Sequence, residues 1–155
     1  MSLLVAAVLA ALPAPVTLHG VGGVTPGMTP AQVAKAWGVP ITLSLPPRGS
    51  TCQTATIRKG GVTGYAIFER KRFGAVFFRG GVKTDTGIQV GVPLTNVKKA
   101  YGTKLKLVPS KYNPKAKTGY VAGVKWKLRF DIDAGGRVSG IGFGGVAVTY
   151  VEGCS

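Results

Sequence analysis

Between Lys125 and Asp133 the chain alternates without a break: Trp126, Leu128, Phe130 and Ile132 are apolar, while Lys125, Lys127, Arg129, Asp131 and Asp133 are charged. A period of two with one wet face predicts a half-buried β-strand. Ala134, Gly135 and Gly136 then turn the chain, and residues 137–143 (RVSGIGF) return as a hairpin partner. A last strand is expected over residues 146–151, before the closing Glu-Gly-Cys. An earlier hairpin is predicted from residues 62–69, a turn over Arg70-Lys71, and residues 72–79. Short strands at residues 52–57 and 104–108 open the two sheets, and residues 110–119 (SKYNPKAKTG) read as a basic, proline-containing loop.

The helical pattern occurs twice. When residues 23–38 are laid over residues 87–102 without a gap, Gly23, Gly27, Val33, Lys35, Ala36 and Gly38 fall on Gly87, Gly91, Val97, Lys99, Ala100 and Gly102. Trp37 falls on Tyr101, and Met28 on Val92. Each copy reads as a turn, a short helix and a stop. Pro30 and Pro93 suit a first helical turn, where a missing N–H costs nothing, and Gly38 and Gly102 suit the left-handed stop. Val33, Ala36 and Trp37, like Val97, Ala100 and Tyr101, recur at spacings of three and four and make one buried stripe per helix. The return strands also match, RFGAVFF against RVSGIGF. The expected fold is α+β, with two tandem repeats, each a short helical part followed by an antiparallel sheet. Residues 1–20 are assigned to a signal segment, residues 21–83 to the first repeat and residues 84–155 to the second.

The signal assignment comes from residues 3–12 (LLVAAVLAAL), an apolar run too short for the about 20 residues a bilayer span needs but suited to a secretory segment. Val8, Leu9 and Ala10 offer a small-residue cleavage site, whereas cleavage after Ala14 places Pro15 directly downstream. No lipobox cysteine follows the run, so a lipid anchor is not indicated. Cys52 and Cys154 are the only cysteines and have no zinc or redox spacing. In an exported chain they read as one disulfide joining the middle of the chain to its end; in the cytosol they would be two inert thiols.

Several motifs carry a resemblance. Residues 27–40 (GMTPAQVAKAWGVP) resemble the start of the domain in the small outer-membrane lipoprotein of the β-barrel assembly machinery. The tandem helix-and-sheet plan resembles the secreted β-lactamase inhibitory protein, and residues 84–102, the KYN at 111–113 and the closing YVEGC are similar to exported proteins and lipoproteins of actinobacteria. The resemblance implies a fold and little about activity. The inhibitory protein carries a disulfide in each repeat, a pattern that two cysteines cannot reproduce.

Composition then narrows the function. With 45% apolar residues and 16% charged ones the chain can bury a core, so disorder is not expected despite 20 Lys+Arg against 5 Asp+Glu and a net charge of +15. His19 is the only histidine, which argues against Ser-His or Cys-His catalysis. Asp131 and Asp133 share one strand face with Lys125, Lys127 and Arg129, and read as surface ion pairs rather than a glycosidase pair or a cation site. The glycine-rich stretches lack phosphate-loop spacing. Enzyme activity, a cofactor and a metal are therefore not expected. The lysines are scattered over helix, strand and loop without an Arg-rich element or stacking aromatics, so nucleic acid is not the expected partner.

In the first repeat, Tyr65 and Ile67 occupy the positions of Arg129 and Asp131, so a face that is charged in one repeat is apolar in the other. Tyr65 and Ile67, with Phe73 and Phe77 of the paired strand, are expected to form an apolar patch beside Arg70, Lys71 and Arg72. The patch is either an inter-repeat contact or a protein-binding surface. The expected function is an exported, non-catalytic binding protein of the cell envelope or extracellular space, with inhibitory capture of a protein or enzyme on the aromatic face as its specific version. The alternative is a cationic envelope protein that binds anionic polymers or lipids without a specific pocket.

Overall fold

The computed structural model describes residues 11–150 together with residues 153 and 154. Residues 1–10, the larger part of the apolar run, lie outside the described residues. Within the remainder of the expected signal segment, Leu12 and Val16 are buried, and the Leu12 N–H donates to the Trp37 carbonyl at 3.3 Å. Val16–Thr17 (β1) and Gly20–Val21 (β2) pair as a small hairpin. Leu12 and Val16 belong to the main core, with Ala14 and Leu18 packed against it.

Pro30–Trp37 (α1) begins as its sequence requires: Thr29 Oγ1 accepts from the Gln32 N–H at 3.3 Å, Gln32 Oε1 accepts from the Thr29 N–H at 2.9 Å, and Pro30 stands in the first turn. Gly38 ends it with φ 66° and ψ 34°. Leu94–Tyr101 (α2) differs at both ends. Pro93 lies just before the helix, in extended conformation, rather than in its first turn. Gly102 has φ 55° and ψ −129°, and the chain runs on through a 3₁₀ turn, Gly102–Lys104, straight into the next strand. Val97 is buried and Tyr101 half-buried, whereas Ala100 is exposed, so the second stripe is narrower than expected.

Seven strands form one antiparallel sheet rather than two. Cys52–Lys59 (β3), Val62–Glu69 (β4) and Arg72–Gly80 (β5) make one meander; Leu105–Pro109 (β6), Lys117–Ala122 (β7), Lys127–Ile132 (β8) and Val138–Gly144 (β9) make the other. The sheet order is β3-β4-β5-β9-β8-β7-β6. The two return strands join at the centre, with Val76 opposite Phe143 and Phe77 opposite Gly142. Strand β7 takes up the end of the stretch expected to be loop. Its core-facing position 119 is a glycine because Leu105 covers it: a Cβ there would lie 2.9 Å from Leu105 Cδ1. The apolar alternation that would announce a strand is thereby broken. Residues 146–149 form a 3₁₀ helix, Val146–Thr149, and not a strand. Strand β9 already has β5 and β8 on its two sides, so the chain leaving it finds no free edge and crosses the sheet face instead.

Helices α1 and α2 lie over one face, where Trp37, Phe68, Phe73, Phe78, Phe130 and Phe143 are fully buried. Trp37 Nε1 donates to the Val21 carbonyl at 2.7 Å, and its ring meets Phe73 edge-on at 5.7 Å. Hydrogen bonds tie each pre-helix turn to the sheet. The Gly27 N–H donates to Phe73 O at 2.8 Å and the Phe73 N–H to Met28 O at 2.7 Å; the Gly91 N–H donates to Val138 O at 2.7 Å and the Val138 N–H to Val92 O at 2.9 Å. Arg72 and Arg137 donate through Nη1 to the Gly27 and Gly91 carbonyls at 3.3 and 2.8 Å.

Candidate functional site

The other sheet face carries the residues on which a functional reading depends. Tyr65 and Phe77 stack there with ring centroids 5.1 Å apart, beside Ile67 and Ala75. Phe73 is not among them. Simple alternation puts Phe73 and Phe77 on one face, but the register of β4 and β5 shifts, pairing Ile67 with Ala75 and Phe68 with Phe73. Gly74 is the extra residue of the bulge, and it turns Phe73 into the main core against Trp37 and Phe68. Arg70 and Lys71 form the hairpin turn with positive φ (50° and 59°). They are exposed, as is Arg72.

The expected patch is covered by the chain's own end. Ile67 is 0% exposed and Phe77 5%, because Ala147 and Val148 of the 3₁₀ helix pack on them, with Tyr150, Cys52 and Cys154 at the margin. Gly142 makes room for this layer: a Cβ there would lie 3.2 Å from both Phe77 Cδ1 and Val148 Cγ2. Arg129 holds the tail down. Its Nε donates to Asp131 Oδ1 at 2.9 Å, its Nη1 to the Val148 and Tyr150 carbonyls at 3.1 and 2.8 Å, and its guanidinium lies 5.3 Å above the Phe77 ring. The Tyr150 hydroxyl donates to Glu69 Oε1 at 3.1 Å. The Cys52–Cys154 disulfide closes the arrangement, with Cα atoms 5.3 Å apart. Of the two readings of the patch, this is the intramolecular contact. Ile67, Phe73 and Phe77 are not available to a partner, and Tyr65 alone stays half-exposed.

Burial pushes the Tyr65 phenol above its ordinary value of 10, with Arg79 and Arg129 pulling it back and Asp131 adding to the rise. Tyr150 is raised by burial and then by its hydrogen bond to Glu69 and that carboxylate's charge. A phenol whose folded pKa is raised holds its proton more tightly when folded. Its contribution to stability is therefore complete below the unfolded value of 10 and lost as pH rises through the folded one. Unfolding free energy should accordingly fall above about pH 10. The phenolate absorbance missing from Tyr65→Phe should be the late-ionising part; loss of an ordinary component would contradict the assignment.

Asp131 and Asp133 have different roles. Asp131 pairs with Arg129, the expected ion pair, whereas Asp133 Oδ1 accepts from the Gly135 and Arg137 N–H groups at 2.9 and 3.0 Å and so shapes the turn. Among the described residues there is no group of three or more His, Cys, Asp and Glu placed to hold a metal ion. His19 is exposed in the β1–β2 turn, and Trp126 packs half-buried on Phe143.

Beside the covered patch, the outer face opens into a cleft of about 330 Å³ under the β6–β7 loop, whose walls include Arg79, Tyr112, Lys117, Tyr120 and Asp131. Short hydrogen bonds order the loop: Ser110 N–H to Ala116 O, Ala116 N–H to Asn113 O, and Lys115 N–H to Asn113 Oδ1, each 3.0 Å. Sequence reading does not find this group, since its members come from three separate strands and a loop; the KYN at 111–113 was the sole local signal. A larger groove of about 840 Å³, walled by Pro13, Ala14, Pro15 and residues 80–85, is mostly apolar and brings no cluster of charged or aromatic side chains together.

The arrangement defines an α+β protein in which two short helices back a seven-stranded antiparallel sheet. No known family model matches the sequence, and no curated protein is detectably similar to it. Among solved structures, the fold is similar to an extracellular protein containing an SCP domain from Bacillus anthracis str. Ames, with a TM-score of 0.53 and 8% sequence identity over 77% of this chain and 44% of that one. It is also similar to a cysteine-rich secretory protein from Staphylococcus aureus subsp. aureus Mu50, with a TM-score of 0.50, 8% identity and the same coverage of 77% and 44%. The chain thus spans less than half the length of these proteins, and at such identity the likeness concerns fold alone.

Proposed function

We propose that this chain is an exported, non-catalytic binding module whose lysine-rich end engages anionic polymers or lipids at the cell envelope or outside the cell. The observation that carries the reading is a run of sequence with its exposure: residues 94–127 contain Lys98, Lys99, Lys104, Lys106, Lys111, Lys115, Lys117, Lys125 and Lys127, all exposed, and no carboxylate. They lie on α2, the 3₁₀ turn after it, β6, β7, the start of β8 and the two connections between these strands, which are neighbours at one end of the sheet. Cations concentrated there attract a polyanion over a Debye length, roughly 10 Å at 0.1 M salt. Capture of a protein on the aromatic face is set aside because the tail covers that face.

Export is supported by the disulfide and by the descriptions of the two similar structures as extracellular and secretory. Among the described residues no helix is long and apolar enough to cross a membrane. The burial of Leu12 and Val16 favours cleavage after Ala10 over any later point. A duplicated origin is supported by the matched hydrogen bonds of Gly27 and Gly91 and of Arg72 and Arg137. It is supported again by two register shifts in corresponding places, after Ile67 and after Asp131.

The test is binding of the full chain to an anionic polymer and to anionic vesicles at low and high salt. Affinity is expected to fall about tenfold or more between 0.05 and 0.5 M salt, as ionic contacts do. Binding that is insensitive to salt would overturn the reading.

A further inference from the structure

The cleft under the β6–β7 loop has a composition that selects among anions. Four cationic side chains, Arg79, Lys111, Lys117 and Arg129, line it together with the carboxylates Asp131 and Asp133. Arg129 is committed to Asp131 Oδ1 and to the tail carbonyls. Of the other three, Arg79 comes from β5 and Lys117 from the start of β7, so they approach from two directions. Gly140 lets the walls converge: a Cβ there would lie 3.1 Å from Asp131 Oδ2 and 3.6 Å from Arg79 Nη1. One carboxylate oxygen and one guanidinium thus stand close together over the bare backbone of β9. Tyr120, opposite Arg129 on β7, lines the cleft as well. Tyr112, 66% exposed on the ordered loop, presents its ring at the rim with the Lys111 ammonium 5.1 Å from the ring centroid.

We propose that this cleft binds one unit of a phosphodiester-linked polyol or sugar polymer. The inference rests on the polyanion reading above and names the ligand of that surface. A plain polyanion would meet two carboxylates in the cleft, and an uncharged sugar would leave Arg79 and Lys117 unmatched. A phosphate ester carrying hydroxyls answers both: Arg79 and Lys117 take the phosphate oxygens, Asp131 Oδ2 accepts from a hydroxyl, and the Tyr112 ring covers the carbon skeleton. The lysines outside the cleft then hold neighbouring phosphates without specific geometry.

The experiment is calorimetric titration of the full chain with a short glycerol phosphate oligomer, inorganic phosphate and phosphatidylglycerol vesicles. The oligomer is expected to bind roughly tenfold tighter than inorganic phosphate, because its hydroxyls add hydrogen bonds to the ionic ones. Arg79→Gln and Tyr112→Ala should each weaken oligomer binding about fivefold or more. Lys35→Gln, which removes the same charge from the exposed face of α1, should leave it within about twofold. Unchanged thermal unfolding of the variants establishes that they are folded. Equal losses from Lys35→Gln and Arg79→Gln would overturn the cleft and leave the diffuse cationic surface standing. Vesicle binding without oligomer binding would likewise overturn the cleft. Failure of every anionic probe to bind would overturn both.

Discussion

Reduction of the Cys52–Cys154 disulfide is expected to lower the unfolding free energy by about 4–5 kcal/mol, the chain-entropy value for a closed loop of about 100 residues. The bond spans 102 residues, so its release enlarges the unfolded ensemble more than most single crosslinks can. It also frees the segment that covers Ile67 and Phe77. Two further ties remain, Arg129 to the Val148 and Tyr150 carbonyls and Tyr150 to Glu69. The reduced chain should therefore stay folded at room temperature while its tail opens more often, which hydrogen exchange at Val148 and Tyr150 would report. Urea unfolding with and without a dithiol reductant measures the global effect. A loss below about 1 kcal/mol would mean that the unfolded chain is already restricted and that the crosslink is thermodynamically minor.

Trp37→Ala is the most damaging single core substitution expected, at about 3–5 kcal/mol. The side chain is fully buried between Phe73 and Phe78, and its removal also leaves the Val21 carbonyl without the indole donor 2.7 Å away. Such a loss is a large share of the 5–15 kcal/mol typical of a domain. The matched position in the second half behaves differently. Tyr101 is half-buried, packs on Phe130 at 5.4 Å and accepts a hydrogen bond from the exposed Thr86 Oγ1 at 2.9 Å. Tyr101→Ala should cost roughly half as much or less. Chemical denaturation of the two variants side by side tests the contrast; equal losses would show that the halves carry the core evenly.

Much of the local structure was legible because it is written in periods and stops. The first turn at Pro30, the stop at Gly38, the alternation from Lys127 to Ile132 and both hairpins follow from residues within one turn or one pleat of each other. The pairing of two lone cysteines was legible by count once export was assumed. The failures share one cause. Phe73 was assigned to the wrong face because alternation is a property of one strand, whereas the bulge at Gly74 belongs to the pairing of two. Residues 146–149 have strand-like composition, yet no sheet edge lies beside them. Strand β7 was hidden because its core-facing Gly119 makes space for Leu105 on another strand.

By itself, then, the sequence determined the α+β class, the two helices, the hairpins, the disulfide partners and the excess of positive charge. Each is set by composition or by neighbours a few residues apart, where steric period and hydrogen-bond stops act directly on the chain. The tertiary structure alone decided that the two meanders fuse into one sheet, that the aromatic face is covered by the chain's own end, and that Arg79, Tyr112, Lys117, Tyr120 and Asp131 meet in a cleft. These depend on which surface lies opposite which, a relation between segments far apart in the chain that no local period encodes.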